Sequence, residues 1–248
     1  MLNANSEETL WDIVVVTYNH ASDIKSNWTS RNFPAWINLI VVDNGSQDAT
    51  LTLARSVANT AIASENVGLS KANNLGATHG SAPYIAFCNP DITLEPHILE
   101  KLQAELEVQP AVAAPRLISE DGSPQANGRA WPTLPRIFSS RFLPKSKRTR
   151  SYQWPEGDPD WVTGAFVAMT RQTFESGIRW PEEYFLYYED VALCALATKK
   201  NVPVVLHEHI QVMHGWHRAS KRLLGRATKE HIRSAVRFYA QFPVRIWR

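Results

Sequence analysis

Apolar positions in this chain fall first into short unbroken runs, with helical repeats between them. Asp12-Ile13-Val14-Val15-Val16-Thr17 is continuous and β-branched, the pattern of a strand buried on both faces. Leu39-Ile40-Val41-Val42 predicts a second such strand, closing on Asp43-Asn44-Gly45-Ser46. A short strand is expected over 60–64, another over Tyr84-Ile85-Ala86-Phe87-Cys88, and a fifth opens at Val112-Ala113-Ala114. Helical spacing fills the gaps over 22–31, 48–58, 68–79 and 95–109. Ser22 is a possible cap, Gly80 a stop and Pro96 a first-turn residue. Successive β-α units predict a mostly parallel α/β sheet flanked by helices. Right-handed crossovers then set the strand ends along one edge, where ligands bind. That edge would gather Tyr18-Asn19, Asp43-Asn44 and Asn89-Pro90-Asp91.

The pattern loosens after residue 118. Residues 119–160 are rich in Pro and Gly and predict a long excursion with one short helix near 134–142. Trp161 to Thr170 reads as one strand, 188–199 as a helix, and 202–206 and 210–214 as two short strands. Residues 219–241 predict a basic amphipathic helix with Leu223, Leu224, Ala227, Ile232, Ala235, Val236 and Tyr239 on its apolar side.

At 248 residues, 44% hydrophobic and 20% charged, the chain suits a single globular domain. No apolar run approaches the roughly 18–20 residues that span a bilayer. The opening MLNANSEETLW has neither the basic nor the apolar part of a signal peptide, so a cytoplasmic location is expected. Cys88 and Cys194 lie in apolar runs and no Cys-x-x-Cys occurs, so buried free thiols are expected rather than a bridge or a thiolate zinc site. The net charge of +2 hides an asymmetry. Residues 133–152 carry six Lys/Arg and no acid, and residues 216–248 carry nine against Glu230 alone. Such stretches are either solvated surface or attractors of phosphates, acidic lipids or nucleic acid.

Three elements carry candidate chemistry. Asp91 follows a strand directly, where a carboxylate can reach a divalent ion bridging two phosphates; Asn-Pro-Asp is equally a common turn. Glu189-Asp190 follows the aromatic run 184–188 and offers one carboxylate as general base for a hydroxyl; the bland reading is a pair of acids at a helix start. His214 offers an imidazole near the end of the last strand, as a ligand or as a structural group.

Six segments in order resemble the family 2 glycosyltransferases, in their rhamnosyltransferase-like branch. They are Val16-Thr17-Tyr18-Asn19, Val42 to Asp48, Asn66 to Asn74, Asn89-Pro90-Asp91, Trp161 to Ala165, and Phe185 to Asp190. The resemblance spans roughly residues 11–218. It implies a GT-A fold with a nucleotide-sugar-binding half over 11–118 and an acceptor and catalytic half over 119–218, to which the pattern of residues adds the basic C-terminal helix region over 219–248. It implies an inverting sugar transfer in glycan or polysaccharide synthesis, with Mg²⁺ or Mn²⁺. The donor would be a dTDP- or UDP-sugar and the acceptor a saccharide or lipid-linked saccharide. Such acceptors fit peripheral contact with an anionic membrane, and nucleic acid is not an expected partner.

By the same resemblance Thr17, Tyr18, Asn19, Asp43, Asn66, Gly68, Asn74 and Asn89 match donor positions. Asp91 and His214 match metal positions, Asp190 the base, Glu189 its acceptor-side neighbour, and Trp161 and Gly164 the acceptor turn. The chain departs from the pattern in three places. Asn89-Pro90-Asp91 has fewer acids than the usual metal motif. Ala192 and Leu196 stand where an acid and an Arg are usual, and Gly215-Trp216 replaces Gly-Gly. Two alternatives remain: a zinc hydrolase or metal module built on His207, His209, His214 and His217, and a catalytically inactive nucleotide-sugar-binding relative. A dehydrogenase is disfavoured, because no Gly-x-Gly-x-x-Gly follows the first strand.

Overall fold

The computed structural model describes residues 8–29, 32–132, 158–215 and 224–242, with 224–229 by backbone alone. The expected helix near 134–142, the basic stretch over 133–152 and His217 lie outside the described residues.

Eight strands form one sheet in the order β3-β2-β1-β4-β9-β6-β10-β5. β1 (Trp11–Thr17) lies parallel to β2 (Ile37–Asp43) and to β4 (Tyr84–Cys88), and β3 (Thr60–Ala63) extends the edge beside β2. β6 (Val112–Ile118) and β10 (Val204–His214) are parallel to each other. Two strands run the other way: β9 (Phe166–Thr170) between β4 and β6, and β5 (Ile92–Thr93) beside the end of β10. The mostly parallel sheet is therefore as expected, but its centre is closed by an antiparallel strand from the second half.

Side chains alternate across β1. Val14 and Val16 join the layer of α3 (Leu69–Ala77), α6 (Glu189–Lys199) and α7 (Leu224–Gln241), whereas Trp11, Ile13 and Val15 join the layer of α1 (Ala21–Asn27) and α4 (Pro96–Val108). Both faces are covered, which is why β1 reads as an unbroken apolar run. The helix α2 (Thr50–Val57) connects β2 to β3.

Two sequence readings change. The run 161–170 is two strands, because Thr163-Gly164-Ala165 turns between β8 (Trp161–Val162) and β9; β8 pairs instead with β7 (Gly128–Arg129) in a small second sheet. The two short strands over 202–214 are one, β10, whose register against β6 shifts between His207 and Gln211. Far from the ligand edge, Asp12 is fully buried at the start of β1. Arg171, which opens α5 (Arg171–Glu175), pairs with it at 2.5 Å.

Candidate active site

The carboxyl ends of β1, β2 and β4 do meet along one edge. Asn44 N–H donates to the Thr17 carbonyl at 2.8 Å, and Thr17 Oγ1 reaches Asp43 Oδ1 at 3.4 Å. Ser46 N–H holds the other oxygen of Asp43 at 3.2 Å. Thr17 and Asp43 are buried, while Tyr18 beside them is 42% exposed. Asn19 adopts a left-handed backbone (φ 57). Its Oδ1 accepts the Gln47 N–H and its own N–H donates to Ser46 Oγ, both at 2.8 Å. Asn66 joins the rim through the amide of Asn44 at 3.3 Å.

Gly68 starts the next wall. Its φ is 90°, and a Cβ there would meet the Phe185 backbone and ring at about 2.8–2.9 Å, so only glycine lets Leu69 N–H reach the Phe185 carbonyl at 3.0 Å. Asn74, another donor candidate, turns elsewhere. Its Nδ2 donates to the Trp180 carbonyl at 2.8 Å and to Glu182 at 3.0 Å, and its Oδ1 accepts the Trp180 N–H at 3.2 Å. That amide fastens the donor half to the loop leading into α6.

The Asn89-Pro90-Asp91 turn is anchored by Trp28 Nε1–H, which donates to the Pro90 carbonyl at 2.8 Å. Beyond it, Asp91 Oδ1 lies 3.2 Å from His214 Nε2. Gly215 N–H donates to the Asp91 carbonyl, and β5 pairs Ile92 with His214, so the two residues are held by backbone as well. Gln125, buried, grips His214 twice: Nε2–H donates to its carbonyl at 2.9 Å, and Oε1 faces Nδ1 at 2.7 Å. Burial pushes the Asp91 carboxyl up, but the hydrogen bond and charge of His214, with a smaller pull from His20, bring it below its ordinary value.

Asp190 sits in the first turn of α6, entered through two consecutive left-handed tyrosines, Tyr187 (φ 67) and Tyr188 (φ 65). Strain of this kind costs on the order of 1–3 kcal/mol per residue and persists only where packing over-determines it. Asp190 Oδ2 accepts the Gly164 N–H at 3.1 Å and Oδ1 the Val191 N–H at 2.8 Å. Asn89 N–H donates to the Ala165 carbonyl at 2.9 Å. The single turn 163–165 thus links the Asp91 side to the Asp190 side. Trp161 forms part of the wall, its Nε1–H on the Ala130 carbonyl at 2.9 Å and the Arg129 guanidinium 5.4 Å above its ring.

Burial pushes the Glu189 carboxyl up to about 8, and the neighbouring Asp190 charge adds to the shift. Asp190 is raised as well, again by burial, against the Gly164 and Val191 N–H groups and the Arg129 charge. With those donors Asp190 ionises first, and Glu189, whose Oε2 is buried without a partner, keeps the proton. The folded chain therefore holds a proton that the unfolded chain releases near 4.5, so stability is full below that pH and declines as pH rises through about 8. Glu189→Gln is expected to flatten that decline. Denaturant unfolding of both proteins at pH 5 and pH 8 checks it, and an unchanged slope would refute the assignment.

Three contributors are absent from the sequence reading. Gln125 lies in the Pro-rich excursion with no motif to mark it. Arg129 supplies Asp190 with the cation that Leu196 does not, from β7 rather than α6. His20 follows the first motif directly, and that adjacency was the available signal. The three described histidines of the zinc alternative do not share a site: His207 and His209 face Glu105, while His214 faces Asp91.

The arrangement is similar to that of the mannosyltransferase PcManGT from Pyrobaculum calidifontis, solved in complex with GDP-Man and Mn²⁺. The TM-score is 0.59 at 16% identity, over 93% of this chain and 65% of that one. It is similar as well to S. aureus TarS 1-349 in complex with UDP-GlcNAc, with TM-score 0.58 and 17% identity over 93% of this chain and 67% of that one. The chain thus spans about two thirds of the length of each of these structures. The chain shares the GT-A fold of these structures.

The family model for Glycosyl transferase family 2 matches residues 12–175, and the chain belongs to that family. Among curated proteins it is 26% identical to the N-acetylglucosaminyl-diphospho-decaprenol L-rhamnosyltransferase of Mycobacterium tuberculosis, over 73% of this chain and 68% of that protein. It is 22% identical to rhamnosyltransferase WbbL of Escherichia coli K12, over 92% of each.

Proposed function

We propose that this chain moves a sugar from a nucleoside-diphosphate donor to a hydroxyl of a saccharide or lipid-linked saccharide, with inversion at the anomeric carbon. The observation that carries the reading is the turn 163–165, bonded to Asn89 on one side and to half-buried Asp190 on the other. In this scheme Asp190 takes the proton of the acceptor hydroxyl as its oxygen bonds to the anomeric carbon. The bond from that carbon to the diphosphate oxygen breaks on the opposite face, and the nucleoside diphosphate leaves with the electron pair. Thr17, Tyr18, Asn19 and Asp43 hold the nucleoside, the exposed Tyr18 ring offering a stacking face. Asn66, Gly68 and Asn89 line the path of the ribose and diphosphate. Trp161, Gly164 and Glu189 shape the acceptor side.

The residues present fit a divalent ion at Asp91 and His214. Gln125 Nε2–H is committed to a carbonyl, so Oε1 faces Nδ1 and makes it the protonated ring nitrogen. Nε2 lies 3.2 Å from the Asp91 carboxylate, to which it hydrogen-bonds; without that proton it would share a divalent ion with the same oxygen. Two ligand atoms on one metal sit roughly 3 Å apart. When bound there, Mg²⁺ or Mn²⁺ would neutralise charge on the donor diphosphate.

The relatives support the finer choices. Two are named rhamnosyltransferases, and the M. tuberculosis protein is named for a lipid-linked diphospho-sugar. A dTDP- or UDP-deoxyhexose donor and a lipid-linked acceptor are therefore the first to try. No helix among the described residues is long and apolar enough to cross a membrane. Ile232 and Val236, 58% and 65% exposed on α7 beside Arg233 and Arg237, support peripheral contact with an anionic bilayer, readable by vesicle co-sedimentation.

The reading is tested by thermal shift with a panel of nucleotide sugars, with and without Mn²⁺. One donor class is expected to raise Tm in a metal-dependent way; saturation at 100 times Kd adds about 2.7 kcal/mol of stability. Asp91→Asn should abolish the metal dependence. If no nucleotide sugar shifts Tm under any condition, the proposal fails. Binding without any product from the matching acceptor would identify an inactive relative instead.

A further inference from the structure

A second cluster of ligating side chains lies away from the acid-lined edge. His207 and His209 stand two apart on β10, so both project toward α4, while Glu208 between them turns to Arg116. Glu105, one residue before the buried Leu106 on α4, points its carboxylate between the two rings. Its Oε1 is 3.0 Å from His209 Nε2 and its Oε2 is 3.7 Å from His207 Nδ1. One donor atom from each of the three residues falls within a span of 4.8 Å.

We propose that Glu105, His207 and His209 form a second metal site, for Zn²⁺ or a similar borderline divalent ion, separate from the Asp91 and His214 site. Tetrahedral zinc with nitrogen and oxygen ligands at about 2.0–2.2 Å sets neighbouring donor atoms roughly 3.3–3.5 Å apart. The contacts to Glu105, 3.0 Å on Oε1 and 3.7 Å on Oε2, lie near that spacing, and with all three donor atoms within 4.8 Å the trio would draw together to close on an ion. Two imidazoles and one carboxylate favour zinc over the oxygen-preferring Mg²⁺ that serves a diphosphate. Core packing does not explain the cluster, since the side chain of His209 is 63% exposed. The fourth position faces solvent, and Asp158 adds negative potential at His207. His207 and His214 are seven residues apart on one strand, about 23 Å at ~3.3 Å per residue, so one ion cannot serve both. A metal here would clasp α4 to β10 at the point where the strand's register shifts.

Equilibrium dialysis of the full chain against Zn²⁺ in excess Mg²⁺ tests the assignment. The wild type is expected to retain one Zn²⁺ per chain, and Asp91→Asn to retain it equally. His209→Ala and Glu105→Gln, both at partly exposed positions, should weaken retention by about 10–100-fold or more. X-ray absorption at the zinc edge should show two imidazole nitrogens and a carboxylate oxygen. Zinc lost in Asp91→Asn, zinc unaffected by His209→Ala and Glu105→Gln together, or no retained zinc would each overturn the proposal. The last result would leave the trio as hydrogen-bonded side chains only.

Discussion

Asp190→Asn is expected to lower sugar transfer by about 10²–10⁴-fold, the usual cost of losing a positioned general base. The substitution keeps size and shape. Asparagine Oδ1 can still accept one of the two backbone N–H groups, from Gly164 or Val191, that hold the carboxylate. Donor affinity, read by thermal shift, should therefore stay near wild type, because no donor candidate on β1, β2 or β4 touches this side chain. The wild-type rate should rise with pH as Asp190 ionises from its raised pKa. The Asn variant should lose that limb of the profile. Near-normal turnover in Asp190→Asn, or an unchanged pH limb, would remove Asp190 from the role.

The second large effect concerns stability at the other end of the sheet. Asp12 is fully buried, and all its partners are specific: Arg171 at 2.5 Å, Asn38 Nδ2 at 2.7 Å and Ala82 N–H at 2.8 Å. Arg171 in turn donates to the carbonyls of Ala77 and Ala82. Removing one member leaves a buried charge uncompensated, at a cost of about 3–5 kcal/mol. Arg171→Met is thus expected to lower Tm by on the order of 10 °C in a chain of this size. The double variant Asp12→Leu with Arg171→Met should recover only part of the loss, because it removes the unpaired charge but leaves the Ala82 N–H and Asn38 Nδ2 without their acceptor. Asp12 lies five residues from Thr17 along β1, roughly 17 Å at ~3.3 Å per residue. Activity per folded molecule should therefore hold. A loss below about 1 kcal/mol in Arg171→Met would show that the pair is worth no more than a surface one.

Much of this architecture was legible in the residues because local pattern and topology agreed. Unbroken, short, β-branched runs at 12–17 and 39–42 favoured strands covered on both faces. Once parallel, they had to present Thr17, Asp43 and Asn89-Asp91 on one edge. What stayed hidden depended on partners remote in sequence. Asn74 was matched to a donor motif, yet its amide is spent on Trp180 and Glu182, more than a hundred positions later. Gln125 looks like any loop glutamine until His214 is brought beside it. The run 161–170 is apolar enough for one strand, and the turn at Thr163-Gly164 shows only when Asp190 accepts the Gly164 N–H. The antiparallel direction of β9 has no local signature at all.

That reversed strand bears on how the polypeptide is made. A ribosome-bound chain that has emerged only as far as residue 118 carries β4 with one bare edge and β6 with neither of its neighbours, β9 and β10. Synthesis must reach residues 166–170 before the gap can be filled. Fragments ending short of that point are expected to stick together rather than fold, and even a piece cut after β9 leaves the outer edge of β6 bare until β10 is supplied.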